Sequence, residues 1–298
     1  MANVTTTVAQ YFIPEIWANR ALEVLKNNIV MARLVTRDTD VASFQVGDIL
    51  HIPYAGTFTA QDKEADGTVT LQTPTDGEVQ VTLDKHKEVS FLVEDVVKAQ
   101  QNQSVMDRYI ESAAVALAEQ LEDDLFALYS GLSQSVGTSG VDITEDVILS
   151  AKNKLDDGKI SRANRHLIVS SGQENVLLKI DRFTRFDAVG DGQAIREGAI
   201  GRIHGFTVHM SQAVPEVGAA PVSVKNLAIH PQAFILAMRG LPEPDEGARS
   251  TVIRDPDSGI TMRVLYAYNP SYLGTQVTLD ILYGVKELRD AAGVQVLS

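Results

Sequence analysis

Apolar and polar residues alternate along residues 79–93, and this period of two predicts a β-strand. The apolar positions are Val79, Val81, Leu83, Val89, Phe91 and Val93. A strand of about fifteen residues is far longer than the usual five or six. A second extended segment begins near Ile49, and a polar, turn-rich stretch joins the two. We therefore expect a protruding two-stranded ribbon. Because such a ribbon is barely stable alone, it should lie on a surface, either of this chain or of another copy.

Helical periodicity marks two further segments. A stripe of apolar residues predicts a long helix over 104–130, with a length of roughly 40 Å. The stripe consists of Met106, Ile110, Ala113, Leu117, Leu121, Leu125 and Leu128. A shorter helix is predicted to begin at Pro14 and to end near Asn28. Its apolar stripe could dock on its own domain or on a neighbouring subunit.

The second half of the chain mixes shorter helices and strands. Asp142 and Glu145 are spaced as a capping box, which predicts a helix up to Leu155 that Gly158 ends. A further helix is predicted over 172–180, and short strands over 166–170, 206–210, 227–230, 234–238 and in the C-terminal 260–297. The elements do not follow a strict β-α-β order, so the expected fold class is α+β.

Composition narrows the functional classes. The chain has 298 residues, 44% of them hydrophobic, which is enough for a sizeable core in one or two domains. It has no cysteine, which excludes disulfides and thiolate metal sites. The net charge is −13, and residues 94–146 contain eleven acidic residues against Lys98 and Arg108. Such a surface repels phosphate and disfavours a specific nucleic-acid reader. Neither a signal peptide nor an apolar run of membrane-spanning length is apparent, so we expect a soluble protein folded in the cytoplasm and no membrane partner.

Candidate chemistry is sparse. The Gly-rich stretch 188–205 matches neither a dinucleotide fingerprint nor a P-loop, so we interpret it as a loop. The six histidines are scattered, and the five-residue spacing of His204 and His209 is poor for a metal site. We predict no catalytic residue, no cofactor and no metal site, although carboxylates brought together only by folding stay possible.

Several runs, in order along the chain, carry a family resemblance. They are IPEIWANRALEVLKNNIVMARLVTRD (13–38), GDILHIP (47–53), VEDVVKAQ (93–100), RHLIVSS (165–171), AIREGAIGRIHGFTVHMS (194–211), AIHPQAFILA (228–237) and LYGVKELRDAAGVQVL (282–297). The chain resembles the major capsid proteins of tailed bacteriophages. The resemblance implies the Hong Kong-type capsid fold, in which an N-terminal arm, an extended β-hairpin loop, a peripheral domain with a long spine helix, and an axial domain follow one another.

Applied to this chain, the resemblance implies the following domains. Residues 1–30 would be the arm and 48–88 the extended loop. Residues 31–47, 89–140 and about 241–280 would form the peripheral domain, with the spine helix at 104–130. Residues 141–240 and about 281–298 would form the axial domain.

The function implied is a coat protein that assembles with itself into pentamers and hexamers and forms the icosahedral head of the virion around double-stranded DNA. Expected partners are other copies of the chain, a scaffolding protein, a portal protein and non-specifically bound DNA, with a decoration protein as a further candidate. The expected intersubunit contacts are Trp17, Leu25, Tyr54, Phe58, Val79, Val81 and Leu83. Two alternatives stay open: an encapsulin-like compartment, which shares the fold and holds cargo, and a hydrolase with carboxylates assembled by folding.

Overall fold

The structure is a computed structural model. It describes residues 18–25, 29–38, 49–54, 58–63, 65–69, 71–73, 76–95, 104–180, 201–219, 222–242, 244, 249–254 and 260–298, the side chains of 104–107 excepted. Its helices are α1 (18–25), α2 (Met31–Leu34), α3 (Ser104–Phe126), α4 (Glu145–Asp157) and α5 (Ser171–Leu178). Its strands are β1 (Thr36–Asp38), β2 (Ile49–Tyr54), β3 (Gly77–Thr82), β4 (Lys85–Glu94), β5 (Ser135–Gly137), β6 (Arg165–Val169), β7 (Arg202–Ile203), β8 (Phe206–Met210), β9 (Glu216–Val217), β10 (Ser223–Ile229), β11 (Phe234–Arg239), β12 (Arg249–Arg254), β13 (Thr261–Asn269), β14 (Gly274–Glu287) and β15 (Gly293–Leu297).

Strand β14 is the centre of the first sheet. Strand β4 pairs with residues 274–283 along one edge, and β13 and β11 follow one another along the other edge. Strand β12 extends the sheet beyond β13, and β1 extends it beyond β11. Alternate residues of β14, among them Val277, Leu279 and Ile281, are buried, which is the pattern of a sheet with one face on a core.

The long helix α3 belongs to the same hydrophobic core as the buried face of this sheet. Its 23 residues span about 34 Å, and Ile110, Leu117, Leu121 and Leu125 are buried at helical spacing. The predicted helix is therefore present, although its last turn, Ala127–Gly131, is a 3-10 helix. Helix α1 belongs to this core as well, through Ala18, Ala21, Leu22 and Leu25. The sequence allowed this helix to dock on its own domain or on a neighbouring subunit, and the structure shows it docked on its own domain.

The second sheet has the strand order β5-β15-β10-β6-β8-β7, with β9 beside β10. Helices α4 and α5 pack with this sheet in a hydrophobic cluster separate from the one that contains α3. Leu155 of α4 and Leu177 of α5 belong to this cluster, together with Leu167, Val169 and Val294 of the sheet. Helices and two mainly antiparallel sheets within one chain make the fold α+β, as predicted.

One of the two expectations about the ends of α4 needs correction. The capping box is wrong: the residue that caps α4 is Thr144, without a side-chain hydrogen bond, and the Asp142 carboxylate instead accepts from Gln173 Nε2 at 3.3 Å. The predicted end at Gly158 is confirmed, because its N–H donates to the Lys154 carbonyl at 3.0 Å.

The chain passes between the two sheets at places other than those expected. Strand β11 pairs with β14 from Phe234↔Glu287 to Arg239↔Leu282, so both lie wholly in the first sheet. The crossings are therefore at residues 230–233 and 288–292, and not near 240 and 281. Strand β5 also pairs with β15 in the second sheet, before the expected boundary at 140.

The single long strand predicted over 79–93 is two strands. Residues Leu83 and Asp84 separate β3, which pairs with β2, from β4, which pairs with β14. Lys85 and Lys87 interrupt the apolar side just after this point, but both halves are extended, so the period of two by itself did not reveal two strands. The split arises because each half pairs with a different partner.

Candidate functional site: the ribbon of β2 and β3

Strands β2 and β3 pair antiparallel and, together with the described residues between them, are hereafter called the ribbon. The apolar face of the ribbon changes from buried to exposed along its length. The cross-strand pairs on this face are Leu50↔Val81, Ile52↔Val79 and Tyr54↔Gly77. Leu50 is 5% exposed and Val81 fully buried, whereas Tyr54 is 57% exposed. The same row of side chains is therefore core at one end and surface at the other.

Polar side chains occupy the opposite face of the ribbon. His51 Nδ1 lies 3.0 Å from Glu78 Oε2, and Gln80 Nε2 donates to Glu78 Oε1. Hydrogen bonds from Gln80 and then His51 hold the pKa of Glu78 below its ordinary value. Because these groups are exposed, the pair contributes little to stability and mainly keeps this face in water.

The inner end of the ribbon, hereafter the base, packs on the first sheet. Leu50, Val81 and Leu83 form one hydrophobic cluster with Ile235 and Ala237 of β11. The ribbon thus finds its supporting surface within its own chain, at least at this end. This packing agrees with the expectation that an isolated pair of strands is barely stable in water.

A glycine in β14 allows this close approach. A Cβ atom placed on Gly284 would lie 2.1 Å from the carbonyl oxygen of Thr82, the last residue of β3. The contact is with backbone, which cannot rotate away as a side chain can. Gly284 is therefore the position at which the chain of the ribbon passes over the sheet.

A polar network beside Gly284 joins β14 and β4 to α3. Tyr283 Oη donates to Asp124 Oδ2 at 2.6 Å, and Lys85 Nζ lies 3.1 Å from Asp124 Oδ1. Burial, and then the hydrogen bond to Asp124, raise the pKa of the Tyr283 hydroxyl well above its ordinary value. The tyrosine is thus a neutral donor at any physiological pH, and it connects β14, β4 and the long helix at one point.

The outer end, hereafter the tip, comprises the described residues between 58 and 73. The side-chain amide of Gln72 makes two hydrogen bonds to the backbone of Thr59: it accepts from the N–H at 2.9 Å and donates to the carbonyl at 2.5 Å. These two bonds take the place of backbone pairing between strands, and they hold the two sides of the hairpin together. Around them Phe58, Val69 and Leu71 are 67%, 66% and 90% exposed.

The seven residues expected to contact other subunits fall into three groups. Trp17 lies outside the described residues. Leu25, Val81 and Leu83 are buried by their own chain, so their side chains have no surface for a neighbour, and this part of the expectation is corrected. Val79 is partly buried at the base, and only Tyr54 and Phe58 are mainly exposed.

Sequence reasoning missed Gly284, Asp124 and Gln72. A glycine inside the strand-like run around residue 284 was a usable signal, because such glycines often mark a close approach of backbone. In the sequence, Asp124 stands out in no way from the other acidic residues of the stretch 94–146. Gln72 carried no signal, since its role depends on the separation from Thr59 in space.

Among the remaining polar groups of the described ranges, two histidines lie close together. His166 Nδ1 lies 3.1 Å from His209 Nε2 on neighbouring strands of the second sheet. Burial, and then the charges of His209 and His230, lower the pKa of His166 to about 4, so it is neutral at pH 7. Across the described part of the chain, no group of three or more metal-ligating side chains is found, and no helix is long and apolar enough to cross a membrane.

Comparison with known proteins decides the family. A family model described as phage capsid protein matches residues 76–276, more than half of the chain. The chain belongs to this family. The protein is thus a structural subunit of a phage capsid shell and not an enzyme, and its place is the phage head. Searching the curated proteins gave no match.

Solved capsids share the fold of this phage capsid protein. A solved structure from Mycobacterium phage Che8 is 21% identical to this chain and superposes with a TM-score of 0.65, with 90% of each chain covered. The capsid of cyanophage P-SCSP1u gives 15% identity and a TM-score of 0.66, with 90% of this chain and 87% of the other covered. A virus-like particle from Pyrococcus furiosus gives 11% identity and a TM-score of 0.52, with 95% and 98% covered. The family expected from the sequence is confirmed, and so is its capsid fold.

Proposed function

We propose that this phage capsid protein is the major capsid protein of a tailed double-stranded DNA phage. Its copies would form pentamers and hexamers that close into the icosahedral head. The observation that carries the proposal is the division of the ribbon into a buried base and an exposed apolar tip. A side chain such as Leu71, 90% exposed on a projecting hairpin, is best explained by cover from a neighbouring subunit.

The domain roles follow the same proposal. The first sheet with α3 as the spine helix would be the peripheral domain, and the second sheet with α4 and α5 the axial domain. Residues 1–30 would be the arm, although α1 packs on its own subunit. Tyr54 and Phe58 would contact the neighbouring subunit, and Val79 would contact it at the margin of the base.

The remaining partners are part of the proposal. Assembly in the host cytoplasm would use a scaffolding protein and a portal protein, and a decoration protein is a possible later addition. Packaged DNA would touch the shell without sequence preference. The acids of α3, among them Glu119 and Asp123, would keep that DNA from adhering if they face the interior.

The test is electron microscopy of the expressed chain, with and without scaffolding protein. Phe58→Ser combined with Leu71→Ser should leave the subunit folded and abolish shells, because the tip loses its apolar surface. Val141→Ser is the matched control, because Val141 is 54% exposed but lies after β5, away from the ribbon. Shells of the double variant at normal yield would contradict the role of the tip. If the unmodified chain stays monomeric even with scaffolding protein, the proposal as a whole is wrong.

An encapsulin-like compartment is the second candidate. It is kept as a candidate because a virus-like particle from Pyrococcus furiosus, whose description names no phage, shares the fold at 11% identity. Purified shells distinguish the two functions: co-purifying DNA supports the phage head, and co-purifying protein cargo supports the compartment.

A further inference from the structure

Strands β7 and β8 form a hairpin at one edge of the second sheet, hereafter the edge hairpin (residues 202–210). In the part of the chain that the structure describes, β7 pairs with β8 alone, and β8 pairs with β7 and β6. The parallel pairing of β6 and β8 runs from Arg165↔Phe206 to Val169↔Met210. Strand β6 therefore joins the whole hairpin to the sheet, and a change in the contact between β6 and β8 acts on that attachment.

Two histidines face each other across this contact. His166 Nδ1 of β6 lies 3.1 Å from His209 Nε2 of β8, and the ring centroids are 5.2 Å apart. Both rings are only partly buried. Leu167 and Val169 belong to the cluster with α4 and α5, and side chains of a strand alternate between its faces. The histidine pair therefore lies on the opposite face of the sheet, away from that cluster.

The geometry of the pair tolerates one charged ring but not two. Between neutral rings, one of the two facing nitrogens donates a hydrogen bond and the other accepts it. A first added proton still leaves one donor and one acceptor. When both His166 and His209 are protonated, both facing nitrogens carry N–H groups and both rings are positive. Repulsion then replaces the hydrogen bond.

The surroundings of the pair offer no compensating charge. Among the described residues, neither ring forms an ion pair with a carboxylate. Burial, and then the charges of His209 and His230, lower the pKa of His166 to about 4, and burial lowers the pKa of His209. If the edge hairpin opens, both rings return to water and to an ordinary pKa of 6.5. The open form therefore binds more protons than the closed form in mild acid.

We propose that the contact between His166 and His209 is a proton-sensitive latch that holds the edge hairpin on β6. At neutral pH the rings are uncharged and hydrogen-bonded, and the hairpin is closed. As the pH falls from 6.5 towards 4, protonation favours the open hairpin. Opening withdraws the buried Phe206 from the cluster with α4 and α5 and uncovers the backbone edge of β6. The latch belongs to the folded subunit and does not depend on the proposed shell function.

The test is hydrogen–deuterium exchange of the full chain at pH 7 and at pH 5. Exchange is read by mass spectrometry as protection factors, which remove the effect of pH on the intrinsic exchange rate. The protection of β8 should fall by about tenfold between these pH values, since solvent screens part of the effect. The protection of β11, in the first sheet, should change far less and serves as the internal reference.

Two variants link the loss of protection to the pair. His209→Gln should reduce the acid-induced loss in β8 to about twofold, because one ring is left to titrate and it has no like charge beside it. His166→Gln should have the same effect, which gives an independent check. The matched control is His86→Gln on β4, where the ring lies 3.2 Å from Asp280. This control should keep the full acid-induced loss in β8.

Each outcome decides the proposal. Protection of β8 that stays constant between pH 7 and pH 5 in the unmodified chain would overturn the latch. An equal acid-induced loss in His209→Gln and His86→Gln would overturn it too, since the cause would then lie outside the pair. If one of the two pair variants is already open at pH 7, the other decides by the same criterion. A shell-forming chain whose β8 does not respond to acid would still be a capsid protein, but without the latch.

Discussion

The base and the tip of the ribbon have similar apolar side chains but use them differently. At the base, Leu50 and Val81 are buried against Ile235 and Ala237 of the same chain. At the tip, Val69 and Leu71 are 66% and 90% exposed. Burial at the base stabilises the folded subunit, whereas the tip adds nothing to the stability of an isolated chain. The comparison teaches that one hairpin can serve folding at one end and association at the other.

Gly284→Ala should damage the base most. The new Cβ would lie 2.1 Å from the Thr82 carbonyl, so the ribbon or β14 must shift. We expect the free energy of unfolding to fall by about 3 kcal/mol, measured by urea denaturation. Gly172→Ala is the control, because its Cβ would meet its nearest atom, Ser170 Oγ, at 4.0 Å. Equal stability of the two variants would show that the ribbon does not press on the sheet.

Val81→Ala should destabilise the subunit by about 2 kcal/mol, because it removes two buried methyl groups and leaves a cavity. Val69→Ala makes the same chemical change at the tip, where it should alter stability by less than about 0.5 kcal/mol. Thermal or urea unfolding of both variants measures the difference. If the two changes cost the same, the division into a buried base and an exposed tip is wrong.

Mild acid should weaken the second sheet before it weakens the ribbon. The folded-state pKa of His166 is about 4, below its ordinary 6.5, so protonation favours the unfolded chain. Its contribution is full above pH 6.5 and is lost as the pH falls towards 4. Glu78 of the ribbon has a lowered pKa as well, but as an acid it loses its contribution only below its ordinary 4.5.

Unfolding measured at pH 7 and at pH 5 tests this order. His166→Gln should reduce the loss of stability between these values, and Glu78→Gln should leave it unchanged. The half-exposed position of His166 means that solvent screens part of the effect. A loss that persists unchanged in His166→Gln would assign it to other groups, among them His209 and His230, whose pKa values are also lowered.

Gly77→Ala should have the smallest effect, although its clash resembles that of Gly284. The added Cβ would lie 2.4 Å from the far end of the Tyr54 ring. This ring is 57% exposed and can rotate into solvent, so the loss should stay below about 1 kcal/mol. A loss as large as that of Gly284→Ala would mean that the contact between Gly77 and Tyr54 is as tightly packed as the base.

Much of the fold could be predicted from local patterns. Helical spacing found α3, and short apolar runs found β6, β8, β10 and β11 within a few residues. The candidate site was predicted less well, because exposure of its side chains depends on distant residues. Leu83 and Tyr54 both lie in the two extended segments predicted to form the ribbon, yet the first is covered by β11 and the second is mainly exposed.

The sequence by itself determined the extended and helical segments, the acidic charge and, through ordered motifs, the capsid family. Periodicity states which face of an element is apolar, and that face must be buried somewhere. Only the tertiary structure decided what buries it. Strand β11, some 150 residues further along the chain than β3, covers the base, and Gly284 admits the backbone of Thr82.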